Sequence, residues 1–212
     1  MVQDGKQRHM NEGQMKQDGI KIMDRIVFLD RDGTLNEEVN YLHRKEDLHI
    51  LPGVPQALAL LKKAGYRLLV VTNQAGVARG YYTEEDVRNL HSYMNSLLEP
   101  RGAAIDGFYY CPHHPVHGVG VYKKNCQCRK PETGMFQMAE GEFPVDKARS
   151  FMIGDKLLDI EAGKKYGLTS ILVGTGYGRE IYRQDCIMGG RRIYDFYADT
   201  LLEAAQWILA RI

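Results

Sequence analysis

A doubly wound, Rossmann-like parallel α/β sheet in a single domain is the fold class this sequence predicts. Three observations carry it. The continuous apolar runs Arg25-Ile-Val-Phe-Leu29 and Arg67-Leu-Leu-Val-Val-Thr72 have the length and composition of strands buried on both faces. Stretches of helical period separate these runs, as they do when crossover helices join parallel strands. Acidic, hydroxyl and lysine residues gather where the runs end, at the carboxyl edge where open α/β sheets hold ligands.

The 212 residues, 44% of them hydrophobic, suffice for one such domain with a substantial core. The 28 basic and 27 acidic side chains give a formal net charge of +1, too little field to grip a long polyanion, so nucleic acid is not expected as a partner. Residues 1–24 read as a disordered leader, because Gln3 to Gln17 is polar and aperiodic. They contain no apolar core of signal-peptide length, and the chain has no membrane-length run. A cytosolic, monomeric protein with one domain over residues 25–212 is therefore expected.

The first run, read as a strand, delivers Asp30-Arg31-Asp32-Gly33. Residues two apart in a strand share a face, so Asp30 and Asp32 are expected to aim their carboxylates at one point while Arg31 turns away. Asp-x-Asp-Gly alone is also ordinary turn composition. Asn36 to Ile50 has no sustained period and reads as a loop or flap beside the site. Pro52-Gly53 then precedes a helix over Val54 to Ala64, whose stripe is Val54, Leu58 and Leu61.

The second strand ends in Thr72-Asn73-Gln74, a hydroxyl and two amides placed to donate to phosphate oxygens or simply to cap the strand. Gln74 to Gly80 reads as a loop, and Thr83-Glu-Glu-Asp86 opens a long helix to about Glu99. Gly107 to Cys111 is a third strand. It begins the most specific metal pattern in the chain, Cys111-x-His113 followed by Cys126-x-Cys128. Three thiolates and an imidazole suit a closed, structural tetrahedral Zn2+ site, with His114 and His117 as alternates to His113. Arg129 and Lys130 follow the last ligand, where a metal-bound loop would hold them for phosphate.

A helix over about Gly134 to Glu142 and a fourth strand, Ser150 to Gly154, lead to Asp155, a third carboxylate that would complete an oxygen shell for Mg2+. Asp159 reads equally as part of that site or as an acid on a helix N-terminus. A fifth strand, Thr169 to Val173, precedes a Gly-rich loop. Arg179 to Arg192 reads as irregular and somewhat basic. Thr200-x-x-Glu203 is a capping box for a last helix carrying Leu201, Leu202, Ala205 and Ile208, with Trp207 in the core.

In order, Asp30-x-Asp32-Gly-Thr-Leu, Thr72-Asn73, Lys130-Pro131 and Gly154-Asp155 with Asp159 resemble the four motifs of the haloacid dehalogenase (HAD) superfamily of phosphohydrolases. With Thr72 to Gly80 and the zinc loop, they look like its heptose bisphosphate phosphatases, which implies a small phosphorylated sugar as substrate. The resemblance implies that Asp30 is the nucleophile and Asp32 the general acid and base. It places Mg2+ on Asp30, the Asp32 carbonyl and Asp155, and the transferring phosphoryl group on Thr72, Asn73 and Lys130, with Gln74 beside them. Arg129 and Lys156 would meet the distal phosphate or the sugar. The interval from Asp32 to Thr72 leaves no room for a separate cap domain. Histidinol-phosphate phosphatases share a comparable zinc loop and stand as the alternative. From another class, a phosphoacceptor signalling domain also uses Mg2+ and clustered acids.

Overall fold

In the computed structural model, which describes residues 23–189 and 192–211, six strands form one parallel sheet. The strands are β1 (Ile26–Leu29), β2 (Arg67–Asn73), β3 (Gly107–Cys111), β4 (Phe151–Gly154), β5 (Thr169–Val173) and β6 (Phe196–Ala198), in the order β3-β2-β1-β4-β5-β6. The chain starts in the middle, winds outward through β2 and β3, then returns to lay β4 on the other side of β1. The switch point therefore lies between β1 and β4, where crossovers diverge and leave a crevice. Leu29 is level with Val70 and Ile153, so Asp30 emerges between the ends of β2 and β4.

Both faces of the sheet are covered, which explains the uninterrupted apolar runs. Val27 and Leu29 face one side with Leu68 and Val70, against α1 (Val54–Lys63), α3 (Glu84–Leu98) and α7 (Leu201–Leu209). Ile26 and Phe28 face the other with Leu69 and Val71, against α4 (Gly134–Glu142) and Tyr166 of α5 (Leu157–Tyr166). The Thr83 hydroxyl accepts from Asp86 N at 3.1 Å while Asp86 accepts from Thr83 N at 2.8 Å, the reciprocal box that starts α3. At α7, Thr200 accepts from Glu203 N, but Glu203 reaches one residue further back, to Asp199 N.

Three elements differ from expectation. A single short turn of helix, α2 (Ala75–Ala78), replaces part of the loop after β2. The segment read as irregular is α6 (Gly178–Met188), and it is followed by the unforeseen edge strand β6. Of the α6 residues only Gly178 is buried, and the segment is polar on average, so it offers few of the apolar positions that reveal a helix in sequence. Its packing comes instead from Tyr182 stacked on Tyr197 of β6, 3.9 Å between ring centroids. Trp207 is half-buried and stacks on Phe196. Residues 1–22 of the expected leader lie outside the described residues. Asp24 already belongs to the fold, donating its N–H to Pro144 O at 2.6 Å. Among the described residues no helix is long and apolar enough to cross a membrane.

Leu58 is fully buried on α1 within the larger core cluster. Leu58→Ala is expected to cost about 2–5 kcal/mol in a denaturant melt, the range for a buried leucine that leaves a cavity.

Candidate active site

The carboxyl edge of the sheet brings three buried carboxylates together. Asp30 continues from β1, its N–H still bonded to Ile153 O at 2.9 Å. Asp155 follows β4 directly, and Asp159 lies on the first turn of α5, where it accepts from Lys156 N at 3.1 Å. Carboxylate oxygens of the three lie within 4.8 Å of one another. Asp159 thus fills both roles that the sequence left open: it caps α5 and faces the site.

One cation sits inside this cluster. Lys130 Nζ is 2.8 Å from Asp30 Oδ1, 2.6 Å from Asp159 Oδ1 and 2.7 Å from Val71 O, and the side chain is fully buried. Burial disfavours its charge, but Asp159 and Asp30 outweigh that and raise its pKa. One ammonium cannot balance three carboxylates. Burial and the Asp30 charge push Asp155 up to about 8, and the same two causes push Asp159 up to about 6 despite Lys130.

These residues fit a hard divalent cation. Asp155 Oδ1 is buried without a hydrogen-bond partner, while Oδ2 accepts from Tyr177 N at 3.0 Å. Gly33, at φ +81°, and Gly176, at φ +52°, press on the Asp155 carboxyl so closely that a Cβ at either would strike it. An oxygen-only donor set with surplus negative charge and one orphaned oxygen is what Mg2+ or a similar ion requires.

Asp32 does not join that cluster, contrary to the expectation of one shared point, and Arg31 does not turn its side chain away. Arg31 is fully buried and curls back, with Nε 3.0 Å from Asp32 Oδ1 and Nη2 2.8 Å from Oδ2. The Asn36 amide donates to Oδ1 at 3.0 Å and the Gln74 amide to Oδ2 at 3.1 Å. Burial raises the Asp32 pKa, but Arg31, Asn36 and Gln74 together hold it below the usual carboxylate range. Strand alternation fixes the direction of Cβ, and a long Arg side chain can reverse from there.

The strand-end amides are likewise engaged within the protein. Gln74 is buried, donates to both Asp32 and Thr72 Oγ1, and accepts from Arg31 and Tyr82. Its side chain has no position left for phosphate, which corrects the expected role. Asn73 pairs with the Lys130 backbone in both directions, at 3.0 and 3.1 Å, and so fixes the residue that carries the ammonium. Thr72 is buried at the end of β2 with its hydroxyl facing the same network.

Cys111, His113, Cys126 and Cys128 form a second metal-capable cluster. Cys128 Sγ lies 3.2 Å from both Cys111 and Cys126 and 3.4 Å from His113 Nδ1, so all four donors converge on one point. Hydrogen bonding with Cys111, and then with Cys126 and His113, pushes the Cys128 thiol down to about 5 against the effect of burial. His114 is no alternate ligand through Nδ1, which accepts from Val116 N and His117 N. Arg129 Nη1 donates to His113 O at 3.1 Å, tying the cluster to the segment that carries Lys130. Across the site, Lys156 pairs with Glu38 of the flap at 2.7 Å, and its ammonium lies over the Tyr177 ring.

A family model described as HAD-hydrolase-like matches residues 127–204. The D-glycero-beta-D-manno-heptose-1,7-bisphosphate 7-phosphatase of Haemophilus ducreyi is 48% identical over 154 residues, which cover 72% of this chain and 84% of that protein. The enzyme of the same name from Haemophilus influenzae is 40% identical over 191 residues, 90% of this chain and 99% of the relative. The chain belongs to this phosphatase family of HAD-like hydrolases. The crystal structure of the D,D-heptose 1,7-bisphosphate phosphatase from B. bronchiseptica, complexed with magnesium and phosphate, aligns with a TM-score of 0.77 at 31% identity. That alignment covers 89% of this chain and 99% of the relative.

Sequence reasoning missed several residues around this family's motifs: Arg31, Asn36, Glu38 and His91. Only His91 left a signal, since it lies on the stripe of Val87, Leu90, Met94 and Leu98 that α3 buries. A histidine on such a stripe needs a polar partner inside the protein.

Lys130→Met would leave the three carboxylates facing one another without their cation, and losing one partner of a buried charge pair costs about 3–5 kcal/mol. The variant is expected to melt lower than the parent, and Mg2+ is expected to raise its Tm by more than it raises the parent's. Thermal melts of both proteins with and without Mg2+ check this.

Proposed function

We propose that the protein hydrolyses the C7 phosphate of D-glycero-D-manno-heptose 1,7-bisphosphate in heptose precursor biosynthesis, acting as a cytosolic monomer. The observation that carries the reading is the Asp30, Asp155 and Lys130 constellation at the switch point of a chain up to 49% identical to enzymes of that name. Asp30 attacks phosphorus and forms an aspartyl-phosphate as the sugar oxygen leaves. Asp32 takes up a proton as substrate displaces part of its hydrogen bonding to Arg31, Asn36 and Gln74, gives it to that oxygen, and then takes the proton of the water that opens the intermediate. Splitting the displacement in two lets one carboxylate serve both halves.

Phosphoryl transfer asks a protein mainly for alignment and positive charge. Lys130 Nζ, already on Asp30, meets the equatorial oxygens together with the Thr72 hydroxyl, while Asn73 holds the Lys130 backbone in place. Asp30, the Asp32 carbonyl and Asp155 would hold Mg2+, which offsets charge on the phosphoryl oxygens when bound. Arg129, and Lys156 once it gives up Glu38, meet the distal phosphate. Zn2+ is the ion proposed for the thiolate and imidazole cluster, where it holds the loop carrying Arg129 and Lys130.

Asp30→Asn is expected to retain substrate binding and to lose turnover by more than about 10^3-fold, since an amide cannot take up the phosphoryl group. Phosphate release from heptose 1,7-bisphosphate, run beside histidinol phosphate, tests both the nucleophile and the substrate. A preference for histidinol phosphate would overturn the sugar.

Cys128→Ser is expected to lower bound zinc, measured by metal analysis, and to lower Tm. It should raise KM more than it lowers kcat, because the loop positions cations rather than reacting atoms. Structural zinc sites bind with about 10 kcal/mol or more, so an unchanged Tm would count against the ion.

A further inference from the structure

The reaction uses Asp32, but the groups that hold Asp32 reach well beyond the reacting atoms. Arg31 grips it through Nε and Nη2, and the remaining nitrogen, Nη1, lies 3.3 Å from Nε2 of His91 on α3. A guanidinium has no lone pair to offer, so His91 Nε2 is the acceptor and the imidazole proton sits on Nδ1. His91 is buried, and burial first, then the Arg31 charge, holds its pKa down to about 3. Its contact with a guanidinium that can only donate makes it a neutral acceptor.

The ring itself is clamped by β3. It stacks on Phe108 with 4.5 Å between centroids and 16° between planes, and it meets the edge of Tyr110 at 5.9 Å. A rigid chain thus runs from the edge strand through His91 and Arg31 to the Asp32 carboxylate. Leu42 O and Gln74 Oε1 steady Nη2 from the other side, at 3.3 and 3.1 Å. An acid that must meet a leaving oxygen loses rate when displaced by a fraction of an ångström, so such bracing bears on catalysis without touching substrate.

We propose that His91 is a positioning residue, which fixes the Arg31 guanidinium and through it the direction in which Asp32 meets the leaving oxygen. The inference rests on the reading of Asp32 as general acid. Its signature is selective. A sugar alkoxide needs a proton as it departs, whereas p-nitrophenolate does not, so a misplaced acid lowers kcat/KM, which reports the steps through leaving-group departure, on the first substrate and spares it on the second, while hydrolysis of the intermediate is common to both.

The test compares heptose 1,7-bisphosphate with p-nitrophenyl phosphate on the same enzyme samples, so that any loss of folded protein cancels in the ratio. His91→Phe keeps an aromatic ring on Phe108 and removes the acceptor. It is expected to lower kcat/KM on the sugar about tenfold or more, part of the roughly 10^2–10^4 that positioned proton transfer supplies, with kcat/KM on the aryl phosphate within about threefold. His91→Gln, which restores an acceptor, is expected to recover most of the loss. Phe108→Leu, which loosens the ring and leaves Arg31 alone, should show the same contrast in smaller measure.

Asp32→Asn is the control. If it lowers kcat/KM on both substrates equally, the acid role fails and this inference fails with it. If Asp32→Asn shows the contrast while His91→Phe and Phe108→Leu lower both substrates equally or neither, the inference alone is overturned.

Discussion

The Lys130 ammonium, sealed between Asp30, Asp159 and the carbonyl of Val71, is the contact on which the site depends. It joins the ends of β1 and β2 to the start of α5 and is the only positive side chain within hydrogen-bond reach of Asp30 among the described residues. A buried lysine stays charged only where anions surround it, and three buried carboxylates stay close only where a cation lies among them. Each makes the other tolerable. The surplus charge that remains is what a divalent ion would offset, and the orphaned oxygen of Asp155 shows where the protein leaves its own bonding incomplete.

Two devices hold that lysine. The Asn73 side chain pairs with its backbone as a neighbouring strand would, and the thiol and imidazole cluster anchors the preceding residues through Arg129. The loop between Cys111 and Cys128 has little apolar content, with Val116, Val119 and Val121 all exposed, so it has no core of its own to hold it. Four convergent ligands take the place of that core. A metal bound by that cluster would in this way help to set where the Lys130 ammonium stands.

Much of this was legible in the sequence for simple reasons. The strands ending in Asp30, Thr72 and Asp155 are buried on both faces, and such strands are written as unbroken apolar runs. The Cys and His spacing is a chemical pattern that needs no fold to recognise. What escaped depended on side-chain direction or on weak patterning. Arg31 reverses onto Asp32, a choice of rotamer rather than of residue type. Gln74 looked like a free amide because nothing in the sequence tells that Arg31 and Tyr82 converge on it. Helix α6 is polar on average and buries little beyond Gly178, Ile181 and Tyr182, so few apolar positions mark it as a helix.

The placement of β1 in the middle of the sheet also governs the order in which the chain can assemble. As the chain grows from its amino end, β1 acquires β2 early on one side, but its other edge stays bare until β4 is made. Asp30 in the same way waits for Lys130, 100 residues later, to receive its counter-charge. Contacts between positions so distant close slowly, and an open apolar strand edge is a template for wrong partners. The growing polypeptide must therefore carry the Asp30 end of β1 unfinished through most of synthesis. The site is completed late, when β4 closes the centre of the sheet and supplies Asp155 beside Asp30.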